Sequence, residues 1–195
     1  MRCVVAALAG FLCACSNPLL IEMRDIPLDI RYATENNFTG QQLYAEARCF
    51  LRPGTAGKLR EVEAELREQG LGLKLFDCYR QLSVQRKMWA LVPDERYVAD
   101  PVKGSRHNRG AAVDLTLVRQ DGSELQMPTG YDEFTDKAHR NYMQLSPEAL
   151  RNRTTLEHVM TKHGFVGMPT EWWHFDDSEW QRYPVMNLDM GQARR

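Results

Sequence analysis

The segment Ala111 to Leu117 constrains the fold more than any other, because it alternates along its whole length. Val113, Leu115 and Leu117 fall on one face and Ala112, Asp114 and Thr116 on the other, which is the two-residue period of a strand. Asp114 therefore points away from the aliphatic side. Around this strand the chain supplies covering elements. Pro53-Gly54-Thr55 opens a helix in which Leu59, Val62 and Leu66 recur at helical spacing, and Gly70 sits where a left-handed C-cap is wanted. Leu71 to Cys78 is apolar and short enough for a buried strand, and Ser83 to Leu91 has helical composition. Ser146-Pro147-Glu148 is an N-cap, a first-turn proline and an acid at the positive helix end; that helix runs through Leu156, Val159 and Met160 to Gly164. Ile26 to Tyr32 reads as a short strand followed by a turn at Asn36 to Gly40, and Glu171 to Phe175 as an aromatic strand after Pro169. Asp94 to Arg109 is polar and irregular, a connection long enough to suggest function. The fold class is α+β: a small, largely antiparallel sheet with flanking helices, in one domain from residue 21 to 195.

Lys and Arg number 25 against 26 Asp and Glu, a formal charge of -1, so no field would gather nucleic acid or anionic lipid. A small-molecule substrate fits better. No coiled-coil heptad or exposed apolar stripe can be read, which leaves the oligomeric state open. Residues 1–20 depart from the rest: Met1-Arg2 brings one positive charge, Val4 to Leu12 is apolar, and small residues follow in signal-peptide order. The run is too short to span a membrane as an anchor. Leu12-Cys13-Ala14-Cys15 has the form of a lipobox, with lipidation at Cys15, Cys13 as an atypical member and Ser16 pointing to the outer membrane. The expectation is an exported, periplasmic protein that touches membrane only through this lipid; the alternative makes Val4 to Leu20 an ordinary buried segment. Five cysteines occur, and export would leave Cys49 and Cys78 free of the leader. In an oxidising compartment these two either pair or remain separate buried thiols.

Metal-binding residue types concentrate in two segments, Ser105 to Asp114 and Glu171-Trp172-Trp173-His174, which hold two of the five histidines. His107, Asp114 and His174 make a three-ligand set suited to one Zn²⁺ with its fourth tetrahedral position open, the catalytic pattern. Gly110 lets the chain turn between His107 and Asp114 so that a loop ligand and a strand ligand converge. Glu171 and His174 are an odd number apart, so Glu171 belongs at the strand entrance, beside the open position, where a general base is needed. Asp77-Cys78-Tyr79-Arg80 ends the buried strand and offers Arg80 as a fixed charge for a developing oxyanion. His158 and His163 lie in a helix as surface or core residues, and His139 in a polar stretch.

At these motifs the chain resembles the D-Ala-D-Ala dipeptidases, within the wider group of zinc peptidases that includes D-Ala-D-Ala carboxypeptidases. Tyr32-Ala33-Thr34-Glu35-Asn36-Asn37-Phe38-Thr39-Gly40 is similar to that family's N-terminal signature. Asp77 to Arg80 resembles its arginine motif, Ser105 to Leu117 its first zinc motif and Glu171 to Phe175 its second. The resemblance covers about residues 22 to 185 and implies His107, Asp114 and His174 as zinc ligands, Glu171 as general base and Arg80 as transition-state stabiliser. It implies further that Tyr32, Ser105 and Asp132 line a pocket for the dipeptide D-Ala-D-Ala. Pro128 stands where the family usually has glycine, and Gln81 where it has proline. Hydrolysis of the free dipeptide is the leading expectation; a carboxypeptidase or endopeptidase acting on peptidoglycan stems is the alternative.

Overall fold

The computed structural model describes residues 18–191, so the lipobox and Cys15 lie outside the described residues. The alternating segment forms β4 (Ala112–Arg119), and its aliphatic face is covered as its pattern requires. Leu115 and Leu117 are fully buried with Leu59, Val62 and Leu66 of helix α1 (Pro53–Glu68) and Leu156 and Val159 of helix α3 (Pro147–Lys162). Helix α2 (Leu82–Leu91) follows strand β3 (Leu71–Asp77). Gly70 and Gly164 both adopt positive φ just beyond α1 and α3, and the Ser146 hydroxyl accepts from the Ala149 amide 3.1 Å away to cap α3.

The main sheet runs β3-β4-β6-β5, with β5 at Phe165–Gly167 and β6 at His174–Asp177, and every pairing in it is antiparallel. A second, two-stranded sheet joins β1 (Ile21–Met23) to β2 (Cys49–Leu51), again antiparallel. Two registers bear on where the polar side chains converge. Asp114 lies directly across from His174, and a shift between Leu75 and Asp77 brings Asp77 level with Asp114 on the other side. A local irregularity of this kind re-aims side chains at the end of a strand.

The expected strand at Ile26 to Tyr32 is not formed. Ile26 and Ile30 are buried, but Leu28, which a two-residue period would put on the same face, is exposed, so the alternation does not carry into burial and the segment makes only an isolated parallel bridge from Leu28 to Leu75. Pro27 has no amide to donate, and the carbonyls of Ile30 and Arg31 are turned inward to Ala33 and Thr34 in a 3₁₀ turn over Arg31–Ala33. The aromatic strand also starts later than its composition suggests: β6 begins at His174, and Glu171 to Trp173 form an irregular approach to it. Cys49 and Cys78 are joined in a disulfide with their Cα atoms 5.2 Å apart, tying β2 to the end of β3. Beside it the Tyr79 amide donates to the Phe50 carbonyl at 2.9 Å.

Candidate active site

Three donors meet at the C-terminal side of this disulfide. Asp114 and His174 are cross-strand neighbours on β4 and β6, which places their side chains on one face within reach of each other. His107 comes from the 3₁₀ turn His107–Arg109, closed by Gly110 at φ 68°. Glycine is favoured there, since a Cβ would stand 2.7 Å from Leu20 Cδ2 in a backbone region that most other residues avoid. His174 Nδ1 lies 2.9 Å from Asp114 Oδ1, His107 Nε2 3.4 Å from the same oxygen, and the two ring nitrogens 3.2 Å apart.

The outer ring nitrogens decide which lone pairs face inward. His107 Nδ1 is 2.7 Å from the Cys78 carbonyl, which can only accept, so Nδ1 carries the proton and Nε2 a lone pair. His174 Nε2 is 2.9 Å from Asp176 Oδ1, which leaves His174 Nδ1 free to donate electrons. Two imidazole lone pairs and a carboxylate oxygen thus face one point, and all three donor atoms lie within 4.8 Å of one another. Such a set suits a cation and nothing neutral, and its nitrogen and oxygen types fit zinc. Without an ion, burial opposes charge on His174, but hydrogen bonds to Asp114 and Asp176 outweigh it and lift its pKa to about 10. Asp114 is held far below the ordinary carboxylate range: burial works against its charge, and His107 and His174 overcome it. Its second oxygen accepts from the Tyr131 hydroxyl at 2.9 Å.

Glu171 sits outside the triad but lines the same cavity, of about 200 Å³, together with Arg80, Ser105, Tyr32 and Asp132. All eight residues read from the sequence as metal ligands, catalytic groups or pocket lining therefore face one space. Burial pushes the Glu171 carboxyl up to about 7, with the Asp114 charge adding to it against the pull of nearby cations. Asp132 is raised well above its ordinary range by burial, then by Asp114 and Glu171, while the Tyr32 hydroxyl donates to it at 3.0 Å. The surplus of carboxylates is itself a demand for positive charge from whatever the cavity takes in. Asp132 occurs at φ 59°, the lone non-glycine residue with positive φ among the described residues. Arg80 is clamped: Nε and Nη2 donate to Asp77 at 3.0 and 2.6 Å, Nη1 to Gln85 at 3.0 Å, and the guanidinium lies 5.1 Å from the Tyr32 ring centroid. Burial opposes its charge, but Asp77 more than offsets that, and the group stays protonated.

Several residues that sequence reasoning missed hold this arrangement. Arg140 donates to the carbonyls of Met168, Trp172 and His174 at 2.8, 3.1 and 2.8 Å, fixing the loop that carries Glu171. Gly167 makes room for it, since a Cβ there would fall 2.3 Å from Arg140 Cζ. Asp77, Gln85, Tyr131 and Asp176 each orient one functional group. Two of these left a readable sign: Asp77 stands in the arginine motif, and Asp176 two residues after His174, hence on the same strand face. The rest of the cavity lining comes mostly from chain connections, among them Glu95 to Gly104, Asp132 and Phe134, and Tyr32 and Phe38.

The sequence profile of the peptidase family described as D-ala-D-ala dipeptidase matches residues 19–190. The chain belongs to this family. A family member from Escherichia coli, a D-alanyl-D-alanine dipeptidase, is 37% identical over 168 residues, covering 86% of this chain and 87% of the relative. A second D-alanyl-D-alanine dipeptidase, from Enterococcus faecalis, is 30% identical over 75% of this chain and 83% of its own length. Among solved structures the LD-carboxypeptidase LdcB superposes with a TM-score of 0.50 at 17% identity, over 84% of this chain and 71% of that one, a likeness of fold. Family membership makes the protein a zinc metallopeptidase of α+β fold.

Proposed function

We propose that the protein hydrolyses the free dipeptide D-Ala-D-Ala to D-alanine with one zinc ion held by His107, Asp114 and His174. The observation that carries this reading is the convergence of three preset donors in a small cavity that Glu171 shares without belonging to the donor set. When bound, zinc supplies Lewis acidity, acidifying water and polarising a carbonyl oxygen. Glu171, with a carboxyl that burial tunes to near neutrality, takes a proton from the attacking water as its oxygen bonds to the carbonyl carbon. As the C–N bond breaks, Glu171 passes that proton to the leaving nitrogen, so one carboxylate serves both half-reactions. Arg80, fixed by Asp77 and Gln85, faces the negative charge that develops on the carbonyl oxygen. Asp132, backed by Tyr32, supplies the negative partner for a free ammonium terminus, which a dipeptide has and a stem peptide lacks at that position. The Ser105 hydroxyl accepts from the His107 amide at 3.2 Å and keeps its own proton for a substrate oxygen.

The small cavity and the paired Tyr32 and Asp132 favour the dipeptide over the carboxypeptidase or endopeptidase alternative. Purified protein, with and without chelator, is assayed on D-Ala-D-Ala, L-Ala-L-Ala and an acylated tripeptide ending in D-Ala-D-Ala. The proposal expects D-alanine from the first alone and only in the presence of metal; faster cleavage of the acylated tripeptide would favour the alternative. We propose further that residues 1–20 direct export and that Cys15 carries a lipid anchoring the protein in the envelope. Mass spectrometry of the mature N-terminus tests this, and an unmodified terminus elsewhere than residue 15 would overturn it.

A further inference from the structure

His107 and His174 are both imidazoles, but their outer nitrogens meet different partners. His107 Nδ1 donates to the Cys78 backbone carbonyl, with the Asp77 carboxylate standing further off at 3.7 Å, whereas His174 Nε2 meets a carboxylate directly at 2.9 Å. That carboxylate belongs to Asp176, whose position is fixed with unusual redundancy. β6 is an inner strand, so Asp176 is paired on both flanks, with Ala112 of β4 and Val166 of β5. Ala112, directly opposite, carries only a methyl group and leaves the face open for the Asp176 carboxylate to reach back along its own strand to His174. The second oxygen, Oδ2, lies 3.6 Å from Arg106 Nε, and the Arg106 guanidinium rests 4.7 Å from the Trp180 ring centroid. Arg106 immediately precedes His107. Asp176 thus connects the strand that bears one donor to the turn that bears another.

We infer that Asp176 is a positioning residue that sets the zinc affinity of the site through His174, with Arg106 bracing its free oxygen. The inference rests on the zinc reading above. A carboxylate on the far nitrogen fixes the tautomer with Nδ1 unprotonated, holds the ring plane toward Asp114, and makes the imidazole a stronger donor. At His107 the carbonyl does the first two, and the Asp77 carboxylate, 3.7 Å from Nδ1 and engaged by Arg80, adds less of the third than the direct bond at His174, so His174 becomes the stronger nitrogen ligand. Arg106 keeps Asp176 from rotating its hydrogen-bonded oxygen away from the ring. Removal of Asp176 leaves His174 free to place its proton on either nitrogen and to turn in its pocket.

The test is zinc affinity, read by competition with a chromogenic chelator on purified, refilled protein: wild type, Asp176→Ala, Asp176→Asn, Arg106→Met and, as reference, His174→Ala. Outer partners of this kind are worth about 10–100-fold in metal affinity. Asp176→Ala is expected to lose that much, and Asp176→Asn less, because its amide oxygen still accepts from Nε2. Arg106→Met is expected to lose less than either. Melting of the zinc-free proteins is recorded in parallel, since a merely structural role would lower melting and leave affinity unchanged. Wild-type affinity in both Asp176 variants overturns the inference, and Asp176→Asn alone decides it should the alanine variant not fold. Wild-type affinity in His174→Ala overturns instead the zinc reading on which it stands.

Discussion

Opening the bond between Cys49 and Cys78 isolates what cross-linking contributes. The two cysteines are 29 residues apart and both are buried, so the bond closes a loop in the unfolded chain without any solvent-facing role in the native one. Loop-closure entropy for a ring of that size amounts to about 3.6 kcal/mol at 25 °C. In a Cys49→Ala, Cys78→Ala protein the unfolding constant should rise by a few hundredfold, taking about 1.4 kcal/mol per tenfold. With a urea slope of about 2–3 kcal/mol/M, the midpoint of the zinc-free protein falls by about 1–2 M. The slope itself should rise, because the unlinked denatured chain exposes more surface. Zinc affinity should move far less than stability. His107 is held by the Cys78 carbonyl, a backbone group that survives the substitution, and the hydrogen bond from the Tyr79 amide to Phe50 still ties the same segments. The assay is equilibrium urea unfolding followed by tryptophan fluorescence, on oxidised wild type and the double variant. An unchanged midpoint, or a loss of zinc affinity as large as the loss of stability, would refute this reasoning.

Three further outcomes are expected of the site. Glu171→Gln keeps the side-chain volume but not the base; it should retain a full complement of zinc while kcat falls by about 10²–10⁴-fold, and loss of metal by this variant would make Glu171 a ligand. Because Glu171 must be ionised to accept a proton and burial raises it to about 7, kcat/KM should be full above that pH and decline as pH falls through it. Bound cation draws the acid midpoint below 7, never above it, and a rate that grows with acid would contradict the assignment. Gly167→Ala forces a methyl group to within 2.3 Å of Arg140 Cζ; overpacking of this kind costs about 1–3 kcal/mol, visible as lowered melting, and kcat should drop with it as the Glu171 loop loses its clamp. Unchanged melting and kcat would mean that Arg140 moves aside freely.

Much of the site was legible because its chemistry is written in residue types at short spacing. His107, Gly110 and Asp114 lie within one turn and one strand, and the odd separation of Glu171 from His174 already required an irregular approach to β6, which is what forms. The disulfide, by contrast, was undecidable, since no sequence pattern supplies a Cα separation. The supporting partners were mostly hidden for the same reason. Tyr131 meets Asp114 across 17 positions and Tyr32 meets Asp132 across 100, distances that only the folded chain collapses. Nothing in the sequence around Arg140 marks its role, which depends on the space that Gly167 leaves for its guanidinium. The strand expected at Ile26 to Tyr32 failed because its apolar alternation did not carry into burial: Leu28 stays exposed between buried Ile26 and Ile30, and pairing stops at a single bridge to Leu75.

The cavity walls have a consequence for descent. The donors are carried on inner strands and a glycine-closed turn, whereas most of the remaining cavity lining comes from connections that contribute no donor. Heritable change in Glu95 to Gly104, or around Asp132 and Phe134, can therefore accumulate while the hydrolytic centre stays intact. A lineage built this way need not cross an inactive ancestor to acquire a new diet. Variants that change only those connections are expected to go on breaking a peptide bond, with selection then acting on which one.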